Sequence, residues 1–197
     1  MPEVIRSHFA IGAAGRARGI RLAERMLGKI DLRGDPGDRA FMAAVGRVLD
    51  VLLPTEPCSS TSKGQITALW LGPDEWLITC PVDDVAFFAN SLREALGDAH
   101  AAVTDVSDGQ VAIRLAGPDA REVLAKGCSL DLHPRVFAPG TCARSLVAKA
   151  TVLIHLIEDG EEGAAFDLHV GRSFAQYLWA WLEDAGREYG VQVTSVI

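Results

Sequence analysis

The chain is poor in paired cysteines, positive charge, long apolar runs and nucleotide-binding glycine signatures, and each shortage removes a class of function. Four of its 197 residues are cysteine, Cys58, Cys80, Cys128 and Cys142, and none stands at a paired spacing. A disulfide framework or a zinc ribbon would need such spacing. Arg6, His8 and Arg16 interrupt any apolar run at the start, so no signal peptide is expected and the setting reads as reduced and cytoplasmic. The longest apolar stretches, residues 111–116 and 151–157, are far too short to cross a bilayer as helices, so no membrane partner is expected. A net charge of −7 argues against a nucleic-acid partner, because a phosphate backbone needs a cationic face. The positive side chains that exist gather early, at Arg6, Arg16, Arg18, Arg21 and Arg25, and residues 1–18 read as a solvated N-terminal arm.

Catalytic signatures are equally scarce. No G-x-G-x-x-G follows a strand, and Gly12, Gly15 and Gly19 lie in an arginine-rich lead-in without that spacing, so no dinucleotide or flavin site is expected on this chain. There is no Walker loop. The histidines, His8, His100, His133, His155 and His169, form no H-E-x-x-H, and Cys128 with His133 is one pair lacking the further ligands zinc requires. Cys128 follows a helix C-terminus, the end of the dipole that raises a thiol pKa, so it reads as an ordinary thiol. Asp105 and Asp108 share a turn and read as caps on backbone amides in preference to an acid/base pair. No catalytic, cofactor-binding or metal-binding residue is assigned.

What is present is a well-patterned core, with 49% hydrophobic residues. The chain turns on residues 104–127. Asp108-Gly109 suits a two-residue hairpin, and Val111, Ile113 and Leu115 alternate with Ala112, Arg114 and Ala116 as in a half-buried strand. Gly117 stands at the expected N-cap of a short helix, Pro118 at its first position and Gly127 at its stop. Upstream, residues 29–33 read as a strand, Asp35-Pro36 as a helix opening, residues 54–63 as a loop, 65–71 and 76–80 as strands, 83–96 as a helix and 101–106 as a strand. Downstream, residues 110–116, 145–158, 165–170 and 191–196 read as strands, with helices at 118–126 and 172–188. The order βαββαβ therefore occurs twice. The expected architecture is α+β, with two related lobes, residues 19–106 and 107–197, forming one compact unit.

The last helix carries more apolar surface than one core can cover. Phe174, Ala175, Tyr177, Leu178, Trp179, Trp181, Leu182 and Ala185 span an arc of about 200°, where a one-sided helix needs about 100°. Trp179, at the edge of that arc, and Phe87, nearly opposite the apolar face of its own helix, are the two candidates for a subunit interface. A homo-oligomer of the isolated chain could hide the same aromatics.

Residues 105–124, D-V-S-D-G-Q-V-A-I-R-L-A-G-P-D-A-R-E-V-L, resemble the folate-binding aminomethyltransferase superfamily. L-G-P-D-E-W-L-I at 71–78 and R-S-F-A-Q-Y-L-W-A-W-L at 172–182 more specifically resemble the gamma-subunit family of heterotetrameric sarcosine oxidases, over about residues 19–189. The resemblance implies an aminomethyltransferase-like fold inside a flavoenzyme that oxidises sarcosine to glycine, yields hydrogen peroxide and can pass the one-carbon unit to tetrahydrofolate. It also implies that flavins, NAD and tetrahydrofolate reside on the larger alpha, beta and delta partners, with no cofactor on this chain. Where aminomethyltransferases carry an Asp-Asp pair, this sequence reads Ala148-Lys149-Ala150-Thr151-Val152, without a carboxylate. Two other readings stay open on sequence alone. One is a stand-alone folate-binding protein, whose K-G-C-Y-x-G-Q-E motif is matched only at Lys126-Gly127-Cys128; the other is a competent aminomethyltransferase.

Overall fold

A computed structural model describes residues 19–194; the N-terminal arm at 1–18, with Arg6, His8, Gly12, Gly15, Arg16 and Arg18, lies outside them. The chain folds as β1 (Ile20–Arg25), β2 (Leu27–Arg33), α1 (Arg39–Leu49), β3 (Ser60–Lys63), β4 (Ile66–Gly72), β5 (Glu75–Pro81), α2 (Val85–Leu96) and β6 (Ala102–Asp105). It continues as β7 (Gln110–Gly117), α3 (Ala120–Ala125), β8 (Cys142–Val147), β9 (Ala150–Gly160), β10 (Gly163–Gly171), α4 (Arg172–Gly186) and β11 (Val191–Val193). Among the described residues no helix is long and apolar enough to cross a membrane.

The strands form two sheets with the same internal order. One runs β3-β4-β5-β2-β6 and the other β8-β9-β10-β7-β1-β11. Stripped of β1, each position in the second matches its counterpart in the first, so the expected repeat is present, with one more strand per half (β3 and β8) than βαββαβ allows. Residues 54–63 are therefore not all loop, and residues 145–158 are not one strand: Ala148, at φ 53°, turns the chain between β8 and β9. β1 departs from the expected boundary at residue 19. It pairs antiparallel with β7 and parallel with β11, so it belongs to the second sheet although it precedes the first in the chain.

The alternation of side chains explains the layering. Ile20, Leu22, Ile113, Leu115, Ile154, Phe166 and Leu168 bury themselves under α3 and α4. In the first sheet, Ile30, Leu32, Ala68, Trp76 and Ile78 do the same under α1 and α2. The opposite faces of the two sheets meet, and Leu69 and Leu77 pack there against Cys142 and Leu153. The result is helices, sheet, sheet, helices. Each sheet thus buries both faces, and a strand that looks half-solvated by its pattern need not be.

The expected hairpin at Asp108-Gly109 does not form. Residues Ser107–Gly109 make a short 3₁₀ turn, and β6 and β7 pair in different sheets. Asp105 accepts hydrogen bonds from the Ser107 N–H (2.9 Å) and hydroxyl (2.6 Å), while the Ser107 oxygen accepts the Lys29 N–H (2.9 Å). Alternation alone identifies a strand but not its partner, and this polar knot carries the chain from one sheet into the other. Helix starts also shift: Asp38, not Asp35, caps α1, accepting the Ala40 N–H at 2.8 Å. Gly117 is not the N-cap of α3, a place taken by Asp119. Gly117 sits at φ 134°, where an added Cβ would lie 2.2 Å from the Gly19 carbonyl oxygen, so the close approach of β1 is what requires glycine.

Candidate functional site

The polar side chains of the intersheet layer converge on one cavity of about 780 Å³. Strand register builds it. On adjacent strands β9, β10 and β7, His155 stands opposite Asp167 and Asp167 opposite Arg114. In the next row His169 stands opposite Ala112, which in turn faces Arg25 on β1. The first sheet closes the other side with Thr67 and Thr79, and Met26, between β1 and β2, with Leu27, the first residue of β2, completes the wall.

The row is a largely buried charged network. Arg114 donates from Nε (2.5 Å) and Nη2 (3.0 Å) to the two oxygens of Asp167, a bidentate pair inside the protein. Burial alone would push the Asp167 carboxyl up, but the Arg114 hydrogen bond and charge outweigh it and hold the group below its ordinary value. His155 is 4% exposed, and its Nε2 lies 2.9 Å from the Ser60 hydroxyl. That hydroxyl already donates to the Gly140 carbonyl (2.8 Å), so it accepts from His155, which fixes the Nε2–H tautomer. The bond also ties β3 of one sheet to β9 of the other. Burial, reinforced by Arg114, lowers the His155 pKa to about 4, and burial lowers that of His169 to about 3. Both rings are neutral at pH 7. Lys29 is 3% exposed, donates to the Leu27 carbonyl at 2.9 Å, and burial brings its pKa down to about 8.

The chemistry available here is binding more than bond-making. Both histidines titrate too low for a general base matched to neutral pH. Burial pushes the Cys142 thiol, behind the same layer, up to about 12 and the Cys80 thiol up to about 11, which removes the thiolate. Among the described residues no three His, Cys, Asp or Glu side chains gather to hold a metal ion.

None of these residues stood out in the sequence as a site. Of the side chains that did, Cys128 is buried and His133 exposed, with His133 Nδ1 accepting the Arg135 N–H at 3.2 Å. Asp105 caps a backbone amide as expected. Asp108 does not; it is fully exposed, 3.7 Å from Arg172. Of the two interface candidates, Phe87 is 65% exposed and packs edge-on against Phe88, with ring centroids 5.3 Å apart. Trp179 is corrected: it is 5% exposed and joins the core formed with α3 and the connection residues Leu132 and Phe137. That connection is tied to α3 by Arg121, which donates to the Leu132 and Phe137 carbonyls, and α3 in turn packs against α4. The exposed aromatics of α4 are instead Phe174 and Tyr177.

Comparison with known proteins adds a family. The sequence model of the "Sarcosine oxidase, gamma subunit family" matches residues 33–188. Sarcosine oxidase subunit gamma of Corynebacterium sp. (strain P-1) is 35% identical over 162 residues, 82% of this chain and 76% of that one. Among solved structures, the heterotetrameric sarcosine oxidase of Corynebacterium sp. U-96, in complex with pyrrole 2-carboxylate, superposes with a TM-score of 0.79 at 30% identity, covering 89% of this chain and 87% of that one. The glycine cleavage system aminomethyltransferase T of Bartonella henselae shares the fold, with a TM-score of 0.64 at 13% identity over 90% of this chain and 48% of that one.

Proposed function

This chain belongs to the sarcosine oxidase gamma subunit family, and from that premise we propose that it is an assembly subunit of a heterotetrameric sarcosine oxidase with no active site of its own. Its partners in this reading are the larger alpha, beta and delta subunits, which carry the flavins, NAD and tetrahydrofolate. The enzyme they form oxidises sarcosine to glycine, releases hydrogen peroxide and passes the one-carbon unit to tetrahydrofolate.

The family match over residues 33–188 carries the reading. Two features of the chain support the absence of a catalytic role. The intersheet carboxylate Asp167 is committed to Arg114, and the buried thiols are held protonated. The stretch Ala148–Val152, aligned by resemblance with the aminomethyltransferase Asp-Asp pair, forms the β8–β9 turn and the start of β9 and holds no carboxylate. Exposed Phe87 supplies apolar surface for a larger subunit.

Native affinity purification from the protein's own cells tests this. The expected result is co-elution with larger flavin-bearing chains, a visible flavin spectrum and sarcosine-dependent peroxide. A colourless chain eluting alone would refute it.

A further inference from the structure

Two cations and one carboxylate meet on the floor of the intersheet cavity, and the count is uneven. Arg114 is satisfied by Asp167. Arg25 is not: its Nε lies 3.9 Å from Asp167, beyond hydrogen-bond reach, and is buried without a partner. The other carboxylate lining the cavity, Asp83, is exposed at the rim, where solvent screens it. Beside Arg25, His169 is 4% exposed, and its Nδ1 is likewise buried without a partner. Only the methyl group of Ala112 separates the two in the cross-strand row. Leaving a buried polar atom unpaired is unfavourable, and the two residues that carry these atoms, Arg25 and His169, both line the one cavity.

We propose that this cavity binds a small organic monocarboxylate, its carboxylate seated between Arg25 and His169. Arg25 shares the Asp167 charge with Arg114 and has no hydrogen-bonded carboxylate among the described residues, so one further negative charge suits it. Lys29, the next cation, gives its ammonium to the Leu27 carbonyl and does not line the cavity, so a phosphate dianion would find no second free cation there. The planar oxygens of a carboxylate suit a guanidinium edge, and the neutral imidazole can supply an N–H through Nδ1. The body of the ligand extends to the mouth, where Met26 (52% exposed) and Val82 (40% exposed) offer apolar contact. A volume of about 780 Å³ lies within the usual range of small-molecule sites. The site is independent of the subunit role, since every residue in it belongs to this chain.

The test is titration of the purified full-length chain at pH 7 with hexanoate, acetate and inorganic phosphate. Heat is followed by calorimetry and the His169 ring nitrogens by NMR. The expected result is saturable binding of one hexanoate per chain, at least tenfold tighter than acetate, with a shift of the His169 Nδ1 resonance and no comparable effect of phosphate. Arg25→Met should weaken hexanoate at least tenfold. If that variant does not fold, the His169 shift in the unmodified chain decides the matter. No saturable carboxylate binding, binding that leaves His169 unmoved, or phosphate binding as tightly as hexanoate would each overturn the proposal.

Discussion

The residues that matter most between the sheets are polar and buried, and their energetics follow from that. Replacing Asp167 with leucine would leave Arg114 and Arg25 without a counter-charge in a buried layer, and a loss of about 3–5 kcal/mol is expected by urea denaturation. The joint replacement of Asp167 and Arg114 by apolar residues should recover much of that loss, because no orphaned charge remains beside Asp167's former place except Arg25. The histidines set a pH dependence. Both have an ordinary pKa of 6.5, lowered in the fold to about 4 for His155 and about 3 for His169. Between those values the unfolded chain binds protons the folded chain refuses, so stability falls as pH drops from about 6.5 toward 4. The slope is up to about 1.4 kcal/mol per pH unit for each ring. Urea midpoints at pH 7, 6 and 5 check this, and His169→Gln should flatten the slope. Asp167, held low by Arg114, adds loss in the same direction at still lower pH. None of this was legible beforehand. Arg114 on a strand with Val111, Ile113 and Leu115 reads as the solvated face of a one-sided sheet, and only the second sheet lying over it reverses that.

At the scale of elements, pattern located most strands and helices but did not choose their partners. β2, β4, β5, α2 and α4 stand close to where their periodicity placed them. The Asp108-Gly109 pair carried a strong hairpin signal, yet the turn there joins two sheets, because hydrogen bonds from Ser107 to Asp105 and from Lys29 to Ser107 favour a tighter curl. Likewise, no residue type marks the break between β8 and β9, since Ala148 at positive φ is an unusual choice. The wide apolar arc of α4 was legible, but which edge remains outside was not, because α3 packs beside α4 and the same buried cluster takes in Trp179. Trp179→Ala should therefore cost about 3–5 kcal/mol in the isolated chain, as a core cavity does. An assembly defect with an unchanged melting temperature would contradict that placement. Gly117→Ala is expected to cost at least about 2 kcal/mol, since the new methyl group meets the β1 backbone at an unfavourable φ; its thermal midpoint gives the check.

For the whole molecule, the doubled architecture could be read from the order of periodicities, and the family from three short segments. Partner contact is a property of the outer surface, and there Phe87 provides the clearest experiment. Phe87→Ser should leave the stability of the isolated chain within about 0.5 kcal/mol while reducing recovery of larger subunits in the affinity purification. Full recovery would move the contact elsewhere, with Phe174 and Tyr177 next to be tried. What no pattern announced was the exchange of β1. Its register with β7 joins Arg21 to Ala116, and its register with β11 joins Ile20 to Val191. During synthesis β1 leaves the ribosome before the other described strands, yet its partners emerge after the whole five-stranded sheet is available to fold. Translation thus imposes a sequence of events: the first sheet can close early, while the second waits for β11. A ribosome stalled before β11 would hold a nascent chain with one edge of β1 uncovered, the kind of edge to which another nascent strand adds.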